Sequence, residues 1–463
     1  MHRFLASTRV CFLVLTLAAT PILVKAQTFT RLFDFDGPNG ATPGPAMQLV
    51  QGFDGKLWGT TSAGGSAGDG TIFNVRFPNF SLNIAYSFDS ADAYVPVAGL
   101  TLDPNGRFYG VTEYGGENNL GNVFSFSPNG TPTALTLGFD GSIGSYPVAG
   151  LLLASSGILY GTAGSGGAYD SGTIFEIHAN GNSFMKVTDL PSASPYLTLV
   201  QGRNGLFYGA LPYGGLNSKG EVFKMDVLGG ISSLHSFSGS DGENPVGSLV
   251  EGANGDFYGT TYVGGMDNVG TIFAITPGGT FKTIHNFRFG INASNKGFNP
   301  DAALVEGSDG NLYGVAAGGG LYGYGVIFRI TPARQYTVLH SFNFEEAEYA
   351  GSGGLVQATD GNFYGTLSGG GANQLGLLYR LSVGLAPFVK LLPGLGKVGS
   401  TVDILGTNLT GATTVTFNGT PATFTVASGA RIKAVVPTGA TSGPVQVTTP
   451  NGTLLSNTTF QVH

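Results

Sequence analysis

At 463 residues, with 42% hydrophobic and 11% aromatic content, the chain can bury a large core, which excludes disorder as the meaning of its 77 glycines. Those glycines follow no three-residue period, so a collagen-like helix is excluded as well. The 21 basic and 28 acidic residues leave a net charge of −7, which disfavours anionic partners and excludes nucleic-acid binding by counterion release.

The first 26 residues stand apart. Arg3 and Arg9 precede an apolar run, "CFLVLTLAATPILV", and a small residue, Ala26, ends the segment. That order predicts a secretory signal peptide over 1–26, cleaved after Ala26. Cys11, the one cysteine, falls inside it, so the exported chain has no disulfide and no thiolate chemistry. No later run is apolar for long enough to predict a membrane span, and an extracellular, cell-surface or periplasmic location is expected. With Arg3, Arg9 and Lys25 removed from the 21 basic residues and no acid lost from the 28, the remaining chain carries −10.

Residues 27–385 repeat one pattern. Its anchors are Trp58, Tyr109, Tyr160, Tyr208, Tyr258, Tyr313 and Tyr364, spaced 48 to 55 residues apart and each followed by glycine. Two glycines stand six and seven positions after each anchor, another glycine twelve after, and Phe or Tyr fifteen after. Six of the seven copies place Asp-Gly or Asn-Gly shortly before the anchor, which predicts a two-residue type I′ hairpin. Each repeat therefore reads as four antiparallel strands, the content of one propeller blade. Gly259 and its equivalents are expected to make room for a neighbouring blade. The double glycine opens a loop and has no following helix to make it a phosphate cradle.

The segment "FTRLFDFDG" (29–37) matches the fourth strand of a repeat, while the seventh copy stops after its third, "LLYRLSV" (377–383). The sequence thus predicts an all-β fold: a seven-bladed β-propeller of about 51-residue repeats, closed by the N-terminal strand, with a linear solenoid as the alternative. These residues resemble the Gloeo/Verruco tandem repeat of exported bacterial proteins. The family is defined by its repeat, so the resemblance implies fold and export and brings no catalytic residues.

Beyond residue 385 the composition turns to Thr, Gly and Val, with alternating strands such as "TVTFNG". "ILGTNL" (404–409), "VTFNGTPA" (415–422) and "AVVPTGA" (434–440) resemble an IPT/TIG domain, which implies a small immunoglobulin-like β-sandwich over 386–463 in a spacer or adhesion role. This segment sets Lys390, Lys397, Arg431 and Lys433 against Asp403, so the repeat region carries −13.

His235, His285 and His340 occupy one repeat position, a blade apart, too far to share a metal ion, and packing is expected of them. Carboxylates gather in the loops joining blades: Asp89, Asp92, Asp140, Asp241, Glu243 and Glu346. These loops and the double-glycine loops should share one face, where Tyr114, Tyr213 and Tyr262 offer rings for stacking on sugars. No calcium loop, serine-nucleophile motif or cofactor motif is present, and no catalytic residue is assigned. Three functions compete: a non-catalytic binding or scaffold protein for polysaccharide or surface-protein ligands, a polysaccharide hydrolase or lyase using loop carboxylates, and a structural envelope protein. Oligomeric state is not encoded in any motif.

Overall fold

The computed structural model describes residues 27–44, 47–90, 93–136, 138–192, 198–289, 296–347 and 353–463. The segment read as a signal peptide lies outside them. Among the described residues there is no α-helix, and between Thr28 and Ser382 the strands form seven antiparallel sheets. The fifth is representative: Glu243–Glu251, Phe257–Val263, Thr271–Ile275 and Phe281–Asn286 pair in chain order. In the last sheet Val356–Gln357, Phe363–Leu367 and Leu377–Ser382 are completed by Thr28–Asp34, paired antiparallel with Leu377–Ser382.

Alternation along the second strand explains how sheets pack face to face. The anchor side chain points toward the next sheet and the residue before it toward the previous one. Trp58 therefore meets Phe108 at 5.0 Å, Tyr208 meets Phe257 at 4.0 Å and Tyr313 meets Phe363 at 4.1 Å. Each such aromatic pair contributes roughly 0.5–1.5 kcal/mol beyond its buried area. Each hydrophobic core spans two consecutive sheets, and the last sheet shares one with the first through Tyr364, Leu378, Leu49 and Phe73. The Thr359 N–H also donates to the Gln51 side-chain oxygen at 2.9 Å, joining the seventh repeat to the first.

Two local expectations are corrected. The hairpin after the first strand is a three-residue loop rather than a type I′ turn. Gly55 N–H donates to Gly52 O and Gly52 N–H to Lys56 O, both at 2.9 Å, and Gly55 takes a φ of 79° while Asp54 does not enter the left-handed region. This is a type I turn closed by a left-handed glycine. The acidic or amide side chain is used instead as an acceptor, as Asp54 Oδ1 takes the Lys56 N–H at 3.1 Å. It also meets the anchor's polar tip: Trp58 Nε1–H donates to Asp54 at 3.2 Å, and the Tyr313 and Tyr364 hydroxyls donate to Asp309 and Asp360 at 2.9 and 2.8 Å. A phenylalanine at the anchor would leave that partner unused, which accounts for Tyr and Trp there.

The second correction concerns the glycine after the anchor. A Cβ on Gly259 would lie 2.5 Å from Phe273 Cζ, within the same sheet, where Gly259 and Phe273 are directly paired. The glycine that faces a neighbouring sheet is the one twelve residues after the anchor. A Cβ on Gly270 would lie 2.7 Å from Pro300, and one on Gly70 2.6 Å from Pro96.

The C-terminal segment is a sandwich of two four-stranded sheets around Val402, Ile404, Phe417, Ile432 and Val447, with Leu395–Gly396 and Gln461–Val462 paired in parallel beside them. It sits against the hairpin-turn ends of the repeat sheets. Arg431 donates to Pro104 O at 3.1 Å and lies 4.0 Å over the Phe53 ring, while the Thr407 and Thr359 hydroxyls meet at 2.8 Å.

Candidate functional site

Because turns and double-glycine loops lie at opposite ends of the second strand, the C-terminal domain occupies one face of the repeat region and leaves the loop face uncovered. Both loop glycines take positive φ, 79° and 75° at Gly264 and Gly265, a conformation that L side chains adopt at a cost. The loop is then tied down from two sides. Gly265 N–H donates to Gly239 O in the inter-sheet loop at 2.8 Å, and Met266 N–H donates to Asn286 on the outer strand at 3.1 Å. Double-glycine loops and inter-sheet loops therefore build one surface together.

The next residue of the loop is thrown outward. Leu216, Met266 and Leu321, each eight positions after an anchor, are 93%, 67% and 70% exposed in consecutive repeats. Tyr169, Tyr213, Phe289, Tyr322 and Phe344 add exposed rings on the same loops and their neighbours. The corresponding positions in the first two repeats are Ser66 and Glu117, so the apolar arc covers one side of the face. Sequence reasoning singled out the tyrosines and missed these aliphatic tips. The signal was present as one register position holding three large apolar residues.

Tyr114 is half-buried and belongs to a cluster. Its ring stacks on Tyr94 at 5.3 Å and meets Tyr146 edge-on at 5.6 Å, and the neighbouring Glu113 carboxylate raises its pKa. Tyr213 and Tyr262 are exposed, and Tyr262 lines the central cavity.

Four of the loop carboxylates are engaged in hydrogen bonds or ion pairs. Asp140 accepts from Ile143 N–H at 3.0 Å and from the Ser142 hydroxyl at 2.8 Å, and these donors hold its pKa below the ordinary value. Asp241 accepts from Ser238 N–H at 2.8 Å and contacts His235 Nε2 at 2.9 Å. Glu346 contacts His340 Nε2 at 2.9 Å, and Glu243 pairs with Lys219. The Asp89 backbone forms a β-bridge with Ala93. Asp92 lies outside the described residues. Among the described residues no three His, Cys, Asp or Glu side chains gather within reach of a metal ion.

The three aligned histidines clasp neighbouring sheets. His235 stacks on Phe281 at 3.7 Å, His285 on Tyr336 at 4.3 Å and His340 on Phe29 at 3.8 Å, each ring from the following sheet. Burial, helped by Lys296 and Arg288, lowers the His285 pKa from 6.5 to about 4. A depressed folded-state pKa means the unfolded chain binds the proton first. The neutral ring's stabilisation is then complete above pH 6.5 and is lost as pH falls toward 4. We expect acidification from pH 7 to 4.5 to cost the protein more stability than it costs His285→Phe, by on the order of 1–2 kcal/mol in urea titrations. Equal losses would remove His285 from the acid response.

Inside the repeat region a cavity of ≈ 950 Å³ runs along the first strands. Ser62, Glu113 and Tyr262 line its loop end; Lys390, Leu392 and Leu405 of the C-terminal domain line the other.

The Gloeobacter/Verrucomicrobia repeat model matches residues 22–197 and 194–420, and the IPT/TIG domain model matches 390–462. No curated protein matches the chain. Solved structures do: a fungal alcohol oxidase of the AA5 family, in complex with copper, is 14% identical with a TM-score of 0.52, covering 94% of this chain and 98% of its own. A chain of a nidogen/laminin complex is 13% identical with a TM-score of 0.38, covering 59% and 92%. TolB from Acinetobacter baumannii is 14% identical with a TM-score of 0.34, covering 51% and 53%. At these identities the likeness is one of fold, and the fold is β-propeller-like.

Proposed function

Because the chain belongs to the Gloeobacter/Verrucomicrobia repeat family and ends in an IPT/TIG domain, we propose that it is an exported, non-catalytic binding protein. In this reading it is a closed seven-bladed propeller that takes a surface protein on its loop face, with the C-terminal domain as spacer on the opposite side. The chain of shared cores that returns from the last sheet to the first supports the ring. The observation that carries the function is the apolar arc of Leu216, Met266 and Leu321, because large apolar side chains held outward on tied loops are the composition of a protein-binding patch. The engagement of Asp140, Asp241, Glu243 and Glu346 in local bonds supports a structural use of the loop acids over a hydrolytic one. The copper of the alcohol oxidase is not carried over: His235, His285 and His340 are spent on ring stacks, and among the described residues no histidine lines the cavity.

A second reading, polysaccharide binding, is favoured by the Tyr94, Tyr114 and Tyr146 cluster, whose rings offer a stacking platform. Sedimentation with cell envelopes and with insoluble polysaccharides separates the two. Retention on envelopes that is lost after protease treatment of the envelopes, and lost in a variant with Leu216, Met266 and Leu321 all changed to Ser, is the expected result. Retention on polysaccharide that Tyr114→Ala abolishes would replace the protein ligand with a sugar. Newly released sugar ends would sink the non-catalytic reading.

A further inference from the structure

The closed end of the cavity holds a cation with nothing to pair with. Val389 and Leu391 are buried in the core of the C-terminal sandwich, so alternation along Lys390–Leu392 turns Lys390 and Leu392 the other way, and both line the cavity. Lys390 carries exposed surface where it lines this space. Among the described residues its ammonium has no hydrogen-bond or ion-pair partner. No neighbouring charge acts on it. A lysine that faces a protein-walled cavity without a counter-charge offers its ammonium to an anion entering that space.

The walls say which anion. Val97, Val148 and Val246 of the second, third and fifth repeats line the cavity at its loop-side level, and Val50, Val305 and Val356 of the first, sixth and seventh line it four residues further along the equivalent strands, toward Lys390. In the fifth sheet Val246 pairs with Thr260 and Val250 with Tyr258, so the two levels stand two residues apart on the partner strand, roughly 7 Å. Of the acids that reach the cavity, Glu113 and Asp301 belong to the loop-side level, while Glu306 follows Val305 at the Lys390 level and its oxygens accept the Ala253 N–H at 3.1 Å. A phosphate would call for several converging donors, whereas a carboxylate on a hydrocarbon body matches one ammonium and apolar walls.

We propose that the cavity is a binding site for a small apolar monocarboxylic acid, its carboxylate on Lys390 and its hydrocarbon along the valines. This site is at the far end of the cavity from the loop face and does not depend on what binds there.

Calorimetric titration of the full chain with decanoate is expected to show one saturable site. Lys390→Met keeps the length and apolar stem of the side chain and should weaken decanoate by about tenfold or more, while decanol binds both proteins alike. Equal affinity of the two proteins for decanoate, or no saturable uptake by the unsubstituted chain, overturns the proposal. If Lys390→Met does not fold, acetic anhydride labelling of the unsubstituted chain, read by peptide mass spectrometry, decides instead. Decanoate should protect Lys390 at concentrations where decanol does not, and equal labelling with and without decanoate overturns the site.

Discussion

A chain that begins at residue 37 should fail to reach the folded state of the full protein, and a peptide of residues 27–36 added in trans should restore it. Thr28–Asp34 is the outer strand of the last sheet, paired from Thr28 with Ser382 to Asp34 with Leu377. Phe35 follows it into the core between the last and first sheets, 5.4 Å from Phe73, and its N–H donates to Gly376 O at 3.0 Å. Phe29 stacks on His340 of the sixth sheet at 3.8 Å, so the same short segment also seals the sixth interface. Losing one buried phenylalanine side chain costs about 3–5 kcal/mol, and domains are held together by roughly 5–15 kcal/mol in total. Removing the buried Phe35 and the half-buried Phe29 and Phe33 together, with a full strand of hydrogen bonds, is therefore expected to exceed what the rest can offset. Thermal denaturation of the truncated chain with and without the peptide checks this. A cooperative transition at the full-length temperature without peptide would mean that the segment only decorates an already complete sheet.

That strand was legible in the sequence because it is written twice over: "FTRLFDF" has the spacing of "SSLHSF", and the seventh repeat is short by the same element. The repeat period and the four strands per unit were legible for the same reason, since periodicity reports on every copy at once, whereas the C-terminal sandwich was legible through its resemblance to an IPT/TIG domain. Turn type was not. Asp-Gly and Asn-Gly suit a two-residue loop and also a three-residue loop with glycine in third place, and the choice depends on which strand residues pair across it. The hydrogen bond from Trp58 to Asp54 makes sense of the acidic residue only once that loop is known.

The candidate site was legible as a surface and not as a set of residues. Strand alternation alone placed the double-glycine loops and the inter-sheet loops together. Whether a loop acid is free depends on which backbone N–H groups its own turn leaves open, and this is invisible at the level of composition. Asp140 is consumed by Ile143 and Ser142, while Tyr114, a single residue in the sequence, belongs to a cluster completed by Tyr94 and by Tyr146 of the next repeat. Lys390 looks like one surface lysine among several in the sequence. It becomes notable only because the C-terminal sandwich is seated over the cavity with that strand facing inward.

Gly259→Ala should destabilise the protein by about 2–3 kcal/mol, although adding a methyl group to a strand glycine ordinarily favours folding by up to about 1 kcal/mol. The sign is set by one contact. Gly259 has no positive φ to excuse it, so its backbone would accept alanine, but the new Cβ would stand 2.5 Å from Phe273 Cζ and 2.8 Å from a Leu249 methyl. The ring cannot swing aside, because Phe237 at 5.4 Å and Phe281 at 5.5 Å pack against it and it is fully buried. The same arrangement recurs as Gly59 with Phe73, Gly110 with Phe124, Gly161 with Phe175, Gly209 with Phe223, Gly314 with Phe328 and Gly365 with Tyr379. A ring laid across a bare glycine backbone is thus common to all seven repeat sheets and accounts for one glycine in each. Phe273→Leu alone should cost about 1 kcal/mol, yet in combination with Gly259→Ala it should recover part of the loss, giving a coupling of about 1–2 kcal/mol in a double-mutant cycle. Additive losses in urea denaturation would show that the added methyl group is rejected by something other than the ring. A neutral or stabilising Gly259→Ala would show that the sheet yields, and that the glycine is kept there for a reason other than the phenylalanine beside it.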